Sequence, residues 1–291
     1  MIPLLFIVFL LLVFVYLGKN NKINVYRFMT KISVFLTFGS LFVIVVYVLL
    51  KGIPYFNLDM FSLNYTSENV SMLPSILTTL LVVFLAIIIA TPVGVFTAIY
   101  LVEYAKKESK VVEVIRLAAE TLQGIPSIVY GLFGMLFFVL KLGFKFSILS
   151  GVLTISIMIL PLIMRSTEEA LKSVSDSIRQ ASFALGAGKL RTIFRIVVPV
   201  AMPGIVSGIV LATGRIVGET ACLIFTLGTA TALPKSIFSS SRTLALHMYM
   251  LSSEGMHVGE AYATATVLLV LVLIINYISN KLASKFMEVK S

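Results

Sequence analysis

The chain has 291 residues, of which 59% are apolar and only 12% are charged. So few charges cannot cover the surface of a water-soluble protein of this size, which excludes a soluble globular class. The formal net charge of +10 could indicate nucleic-acid binding, but the basic residues lie between apolar blocks, without a stacking platform of aromatic residues. We therefore predict an integral membrane protein, covered by lipid, with no nucleic-acid partner.

Uncharged apolar runs of spanning length recur along the chain and predict seven transmembrane helices. Helices are favoured over barrel strands, because strands would alternate in hydrophobicity over about ten residues. The first run has neither a basic segment before it nor a small-residue cleavage site, so we interpret it as a span and not as a signal peptide. The predicted spans are Ile2–Leu17, Ile32–Leu50, Ile76–Val102, Ile125–Leu140, Ile148–Met164, Ile205–Leu227 and Tyr262–Ile278.

The distribution of basic residues predicts the orientation of these spans, because cytoplasmic connections carry the excess of lysine and arginine. The two alternating sets of connections hold 17 and 5 such residues, and the richer set includes the C-terminal tail. We therefore expect a cytoplasmic C-terminus in a bacterial cell membrane. The expected division is an N-terminal part at 1–70, a permease domain at 71–280 and a cytoplasmic tail at 281–291.

The basic connection at 165–203, between the fifth and sixth spans, has the pattern of a helix, a turn and a second helix. Apolar residues recur at helical spacing on both sides of Gly186 and Gly188. Ser175 or Asp176 is suited to cap the first helix, and Gly186 is suited to the positive φ of a tight turn. A compact, basic, amphipathic element beside the membrane is suited to the groove of a soluble partner.

This connection resembles the E-A-A loop of ABC importer permeases. The similarity lies in Gln180-Ala181-Ser182, in Gly186 four residues later, and in Pro199 at the end of an Ile-Val-Val-Pro string. Gln180 stands where that family most often has Glu, and Ser182 replaces the second Ala. The resemblance implies that Gln180, Ala181, Ser182, Gly186 and Pro199 couple the chain to a cytoplasmic ATPase.

The pair Gly188-Lys189 does not belong to a phosphate-binding loop of the Walker type. Phe183 occupies the position of the first glycine, and Leu190 occupies that of the magnesium-binding Ser or Thr. We therefore expect that this chain is not an enzyme, that it needs no cofactor, and that a separate subunit hydrolyses ATP.

Two charged residues, Arg215 and Glu219, lie inside the sixth predicted span. Their spacing of four predicts that they project from one helical face and can reach each other. Each charge costs about 2.5 to 3.5 kcal/mol at the membrane centre, so we expect both to face a cavity or a partner helix. A structural ion pair is one interpretation. The other is that Arg215 binds an oxyanion through its planar guanidinium and exchanges partners between that anion and Glu219.

The segment from Gly214 to Ala221 is similar to the R-x-x-G-E-T-A segment of bacterial phosphate permeases of the PstA type. Two further segments, which begin at Gly124 and Arg165, resemble the same family. The resemblance implies an all-α polytopic membrane bundle, with a six-helix ABC importer permease core and an extra N-terminal span. It implies phosphate import along a path that includes Arg215 and Glu219. Arg165, near the membrane boundary, is a second candidate for this path, and snorkelling of its side chain to the cytoplasmic surface is the alternative. The implied partners are a PstB-type ATPase homodimer, a PstC-type second permease, a PstS-type extracytoplasmic phosphate-binding protein and membrane lipid.

Two other interpretations remain open at this point. One is an ABC permease for another oxyanion, such as sulfate or molybdate, and the other is a secondary transporter driven by an ion gradient. Inverted repeats are common in secondary transporters, and we find none in the sequence. His247 and His257 lack neighbours at metal-ligand spacing, so we expect no metal site.

Four glycines, one just before the sixth predicted span and three within it, form two small-xxx-small pairs. Gly204 with Gly208, and Gly214 with Gly218, would let another helix approach closely. We expect helix packing at both pairs.

Overall fold

The computed structural model describes residues 22–106 and 109–288, with side chains for 26–106 and 109–281. The described residues form helices and turns and contain no strand, which confirms the predicted all-α class. The predicted first span, at 2–17, lies outside the described residues. An N-terminal unit ends at Lys51, and the features described below belong to the unit that begins at Gly52.

The helices are numbered in chain order. They are α1 (Lys22–Gly52), α2 (Leu73–Ile99), α3 (Lys110–Gly124), α4 (Ser127–Gly134), α5 (Ile148–Lys172), α6 (Asp176–Ala184), α7 (Lys189–Thr192), α8 (Val198–Val217), α9 (Ala221–Ile224), α10 (Leu244–Glu254) and α11 (Val258–Glu288). Turns of π-helix extend α2 over Tyr100–Tyr104 and α4 over Met135–Lys141, and join α7 to α8 over Ile193–Val197. Two short 3-10 turns, Ile53–Tyr55 and Leu58–Phe61, follow α1.

Within the described residues, five helical segments are long and apolar enough to cross a membrane, or six if a bent pair of helices is taken as one span. The second, third, fifth and seventh predicted spans are confirmed as α1, α2 with its π-helical extension, α5 and α11, and each is longer than the apolar run. In the N-terminal unit, Phe35 and Phe38 of α1 are 75% and 69% exposed, as a lipid-facing helix requires.

The fourth predicted span is confirmed as a helix, and the structure adds a bend before it that the sequence did not predict. Ile125–Leu140 covers one arm of a pair, α3 and the extended α4, whose axes bend by 103°. Pro126 causes the break, because its ring disfavours a helical conformation in the preceding residue, and Ile125 is extended at φ −73° and ψ 129°. The charged segment before the break, predicted as a connection, is the amphipathic helix α3.

The sixth predicted span is displaced along the chain. The helical segment runs from Lys189 to Val217, and Gly218 is its C-cap. It therefore ends ten residues before the predicted end of the span at Leu227. Arg215 therefore lies in the last turn of α8, whereas Glu219 lies beyond the helix. The prediction that the two side chains project from one helical face is wrong. Gly218 has low helix propensity, and the Glu219 side chain bonds to the backbone of the next helix, which favours termination.

Helix α5 is the centre of the main unit and packs against α2 and α8. Its fully buried side chains include Ile155, Ile159 and Ile163. On α8, a Cβ at Gly204 would lie 2.6 Å from that of Ala170 in α5, so the first small-residue pair does allow close packing. A Cβ at Gly208 would overlap the hydroxyl group of Ser166, also in α5.

The second small-residue pair does not serve helix packing within the described residues. A Cβ at Gly214 would meet no neighbouring atom within 4 Å, and one at Gly218 would meet only the Gly214 carbonyl oxygen, at 3.9 Å. Packing against a helix of another subunit stays a prediction for this pair. Gly214 instead borders an open cavity.

Candidate functional site

The described part of the chain contains a cavity of about 570 Å³ beside the last turns of α8. Its polar lining consists of Ser207 and Arg215 from α8 and Asn276 from α11. Ser207 and Arg215 share one helical face because they are eight residues, or about two turns, apart. Apolar walls come from Leu162, Val210, Leu211 and Gly214. The arrangement places one permanent positive charge and two neutral polar groups around a space that could hold a small oxyanion.

The Arg215 side chain is half-buried. It has no ion pair or hydrogen bond with another residue of the described ranges 26–106 and 109–281. Burying an arginine without a counter-ion is unfavourable, so its guanidinium is available to an anion that enters the cavity.

Glu219 is buried, with 9% of its surface exposed, and is already engaged. Its Oε1 accepts a hydrogen bond of 2.9 Å from the Cys222 amide, at the start of α9. It forms no ion pair with Arg215 in this structure, although both residues are described. The Glu219 carboxylate therefore stabilises the break between α8 and α9, where backbone amides would otherwise be unsatisfied.

Arg165 lies in α5, because that helix continues past the predicted end of the fifth span. Its Nη2 lies 3.0 Å from Oε1 of Glu120 in α3, and both side chains are partly exposed. Arg165 is not among the residues that line the Arg215 cavity. The structure therefore does not bring these two candidate translocation residues into one site.

The predicted helix, turn and helix are confirmed as α6, a tight turn and α7. The Ser175 hydroxyl accepts a hydrogen bond from the Ser177 amide and so caps α6. Gly186 adopts φ +79° in the turn. Ser182 is buried, and its hydroxyl lies 2.8 Å from that of Thr192, so this bond holds α6 against α7. We name this pair of helices and its turn, residues 176–192, the coupling hairpin.

The coupling hairpin has an exposed apolar surface. Leu185 at the turn is 89% exposed and Leu190 in α7 is 66% exposed, and Phe183 beside them is 47% exposed. Gln180 and Ala181 are also exposed, whereas Pro199 is half-buried at the start of α8. Exposed apolar residues rimmed by polar ones are typical of a protein interaction site.

Arg179 connects the coupling hairpin to two spans, a role that sequence reasoning missed. Its Nε and Nη2 donate to Oε1 of Glu103, in the π-helical end of α2, at 3.1 and 2.8 Å. Its Nη1 and Nη2 also donate to the Val174 and Leu171 carbonyl oxygens at the end of α5, at 2.6 and 2.9 Å. Lys189 adds a cation–π contact, 4.8 Å from the centre of the Tyr104 ring. These contacts link the hairpin to both α2 and α5.

A second buried acid, Glu168 of α5, lies near this connection and was also missed as an interacting group. Its Oε1 lies 2.7 Å from Nε of Arg116 in α3 and 2.7 Å from Nζ of Lys172. Its Oε2 is buried without a hydrogen-bond partner among the described side chains. The cluster ties the amphipathic helix α3 to α5.

The only sequence signal for the missed polar groups is their occurrence as single polar residues in apolar helices. Ser207 and Asn276 have this property, but their proximity to Arg215 depends on how α8 and α11 pack. Glu103 and Arg179 are 76 residues apart, and local periodicity cannot pair residues at that separation.

The fold and the site together define a polytopic helical permease with an exposed helical hairpin between two of its spans. Residues 90–288 match the family model described as "binding-protein-dependent transport system inner membrane component". The chain belongs to this family and is a multi-pass membrane permease component of a transport system.

Two relatives illustrate the similarity. The chain is 36% identical over 212 residues to the probable ABC transporter permease protein YqgI of Bacillus subtilis. The aligned region covers 67% of this chain and 71% of the relative. It is 38% identical over 194 residues to the phosphate transport system permease protein PstA 1 of Mycobacterium tuberculosis, which covers 66% of this chain. The matched region spans 63% of that PstA 1 protein.

Solved structures share the fold. A bacterial alginate ABC transporter, in complex with an alginate-bound periplasmic protein, aligns with a TM-score of 0.65 at 16% identity, over 92% of this chain and 96% of the other. An inward-facing form of the MetNI methionine ABC transporter aligns with a TM-score of 0.59 at 19% identity, over 73% and 93% of the two chains. At these identities the likeness concerns the fold alone.

Proposed function

We propose that this chain is the permease subunit of an ATP-driven importer of inorganic phosphate. The observation that carries the proposal is the Arg215 cavity, where a guanidinium without a counter-ion lies beside Ser207 and Asn276. A planar, permanently charged guanidinium suits a phosphate oxyanion, and the two polar side chains can complete its hydrogen bonds. Relatives named as phosphate permeases support phosphate over sulfate or molybdate.

Translocation requires that the anion also leave the cavity. We propose that Arg215 binds phosphate transiently, and that Glu219 limits the net attraction when the α8–α9 break rearranges. Because Glu219 is held by the Cys222 amide here, the exchange requires that this 2.9 Å hydrogen bond opens. Arg165 is proposed to act near the exit, where release from Glu120 would free its guanidinium.

The coupling hairpin is proposed to dock on a cytoplasmic ATPase subunit of the PstB type. Its exposed Leu185 and Leu190 provide the apolar contact, while Arg179 carries the movement to α2 and α5. The role proposed for the predicted coupling residues is divided. Gln180 and Ala181 face the partner, Ser182 and Gly186 shape the hairpin, and Pro199 starts α8.

This proposal requires a definite topology and a set of partners. The hairpin and the C-terminus face the cytoplasm, and the connection that precedes α10 faces outward toward a PstS-type binding protein. A PstC-type permease completes the translocation path.

Uptake of labelled phosphate tests the proposal. Arg215→Gln, at membrane abundance equal to that of the unaltered chain, is expected to reduce uptake at least about tenfold, because a charge-assisted contact is lost. Lys110→Gln removes an exposed cation outside both the cavity and the outward connection, and serves as the control. Unchanged uptake in Arg215→Gln would remove the arginine from the mechanism. An unaltered transporter that takes up labelled sulfate but no labelled phosphate would reject phosphate as the substrate.

A further inference from the structure

A second arginine without a counter-ion, Arg242, lies in the connection that precedes α10. Only 4% of its surface is exposed, and its Nε and Nη2 are sealed from solvent without a hydrogen-bond acceptor. No carboxylate in the part of the chain that the structure describes forms an ion pair with it. Because a guanidinium stays protonated at physiological pH, this is a buried positive charge without compensation.

Two aromatic side chains surround the guanidinium. Its Cζ lies 4.8 Å from the centre of the Tyr65 ring, a cation–π contact that offsets part of the cost of burial. His247 is fully buried and packs edge-on against Tyr65 at 6.1 Å between ring centres. Its imidazole makes no hydrogen bond with another side chain of the described residues, and a contact with the Val70 backbone favours its protonation. Burial, followed by the charge of Arg242, outweighs that contact and lowers the pKa of His247 to about 3. The imidazole is therefore neutral, and the ring nitrogen that does not face Val70 offers an acceptor.

The backbone on both sides of Arg242 is fixed to α2. The Ser241 hydroxyl lies 2.8 Å from that of Thr78, and the Leu244 amide donates to the Thr79 hydroxyl oxygen at 2.8 Å. These bonds hold the guanidinium in place without an ion pair, as in a preorganised ligand site. A merely structural arginine would be expected to have acceptors for its buried nitrogens.

Tyr65 is the most exposed side chain of this cluster. It lies in the loop between the second 3-10 turn and α2, and its side chain is only half-buried. A displacement of the ring would uncover the guanidinium and His247 together, because Tyr65 contacts both.

We propose that Arg242 and His247 form an outer binding site for the transported oxyanion, with the Tyr65 ring as its cover. This inference rests on the proposed function and on the topology that places the connection outside. Arg242 donates hydrogen bonds to the anion. The imidazole nitrogen that does not face Val70 accepts the O–H of a hydrogen phosphate ion, whereas sulfate has no such proton at neutral pH, so the site favours phosphate.

Thermal unfolding of the purified transporter assembly, titrated with inorganic phosphate or with sulfate, tests the inference. An Arg215→Gln background isolates the outer site, and Arg242→Met is added to it. Without added anion, Arg242→Met is expected to raise the midpoint, since it replaces an uncompensated buried charge with an apolar chain of similar length. It is also expected to increase the half-saturating phosphate concentration at least about tenfold. Lys235→Met, which removes an exposed cation from the same connection, should do neither.

The outcomes separate the two proposals. A lower midpoint in Arg242→Met, with stabilisation by phosphate retained, would overturn the outer site and leave the proposed function intact if the unaltered transporter takes up phosphate. Equal stabilisation by sulfate and phosphate would overturn the role given to His247. An unaltered assembly that is neither stabilised by phosphate nor able to transport it would overturn both proposals.

Discussion

The ion pair between Arg179 and Glu103 predicts that the coupling hairpin loosens when the arginine is replaced. Removal of one partner from a buried ion pair costs about 3 to 5 kcal/mol. The two side chains retain 14% and 9% exposure, so we reduce the expected penalty for Arg179→Gln to about 2 to 3 kcal/mol. A penalty of that size would raise the population of the detached hairpin about 30- to 150-fold.

Amide hydrogen exchange over residues 176–184, in the detergent-purified permease, measures this population. Arg179→Gln is expected to increase exchange in α6 by the same factor, and to lower the phosphate transported per ATP in the assembled transporter. Arg191→Gln makes the same charge change at an exposed arginine of α7 that has no ion pair in the described ranges. Equal exchange rates in the two variants would refute the role assigned to Arg179.

Three further predictions concern packing and backbone conformation, and thermal unfolding in detergent measures each. Gly208→Ala should cost about 1 to 3 kcal/mol because its methyl group would overlap α5, whereas Gly214→Ala, with open space around it, should cost nothing. The reverse order would contradict the packing described. Glu168→Gln should destabilise by about 2 to 4 kcal/mol because two cations lose their common carboxylate, while the exposed Glu169→Gln should have no effect. Gly186→Ala should cost about 1 kcal/mol because φ is +79° there, and an unchanged midpoint would argue against that turn.

The spans were predictable because the bilayer imposes a length and an apolar composition on each of them. The coupling hairpin was predictable for a similar reason, since helical spacing, Ser175 as a cap and Gly186 in the turn are all local features. Local signals also existed for the break at Pro126. The uncharged run that follows Pro126 is the stronger signal for a span. The sequence therefore predicts a connection where the structure has the amphipathic helix α3.

The position of Glu219 shows where the periodic pattern misled. A spacing of four residues implies one helical face only if the helix continues, and α8 ends at Gly218. Apolar composition cannot locate that end, because the residues after it are equally apolar. The hydrogen bond from the Cys222 amide to Glu219 depends on the geometry of the break and on no repeating pattern.

The amino-acid sequence was sufficient to predict a multi-pass helical permease with a basic hairpin and a cation, Arg215, within a span. The contacts between distant polar groups were found in the tertiary structure, such as Arg215 with Asn276 in one cavity, or Arg179 with Glu103 across 76 residues. The physical reason is the range of the forces involved. Membrane insertion and helix formation depend on nearby residues, whereas these polar contacts depend on how distant helices pack against one another.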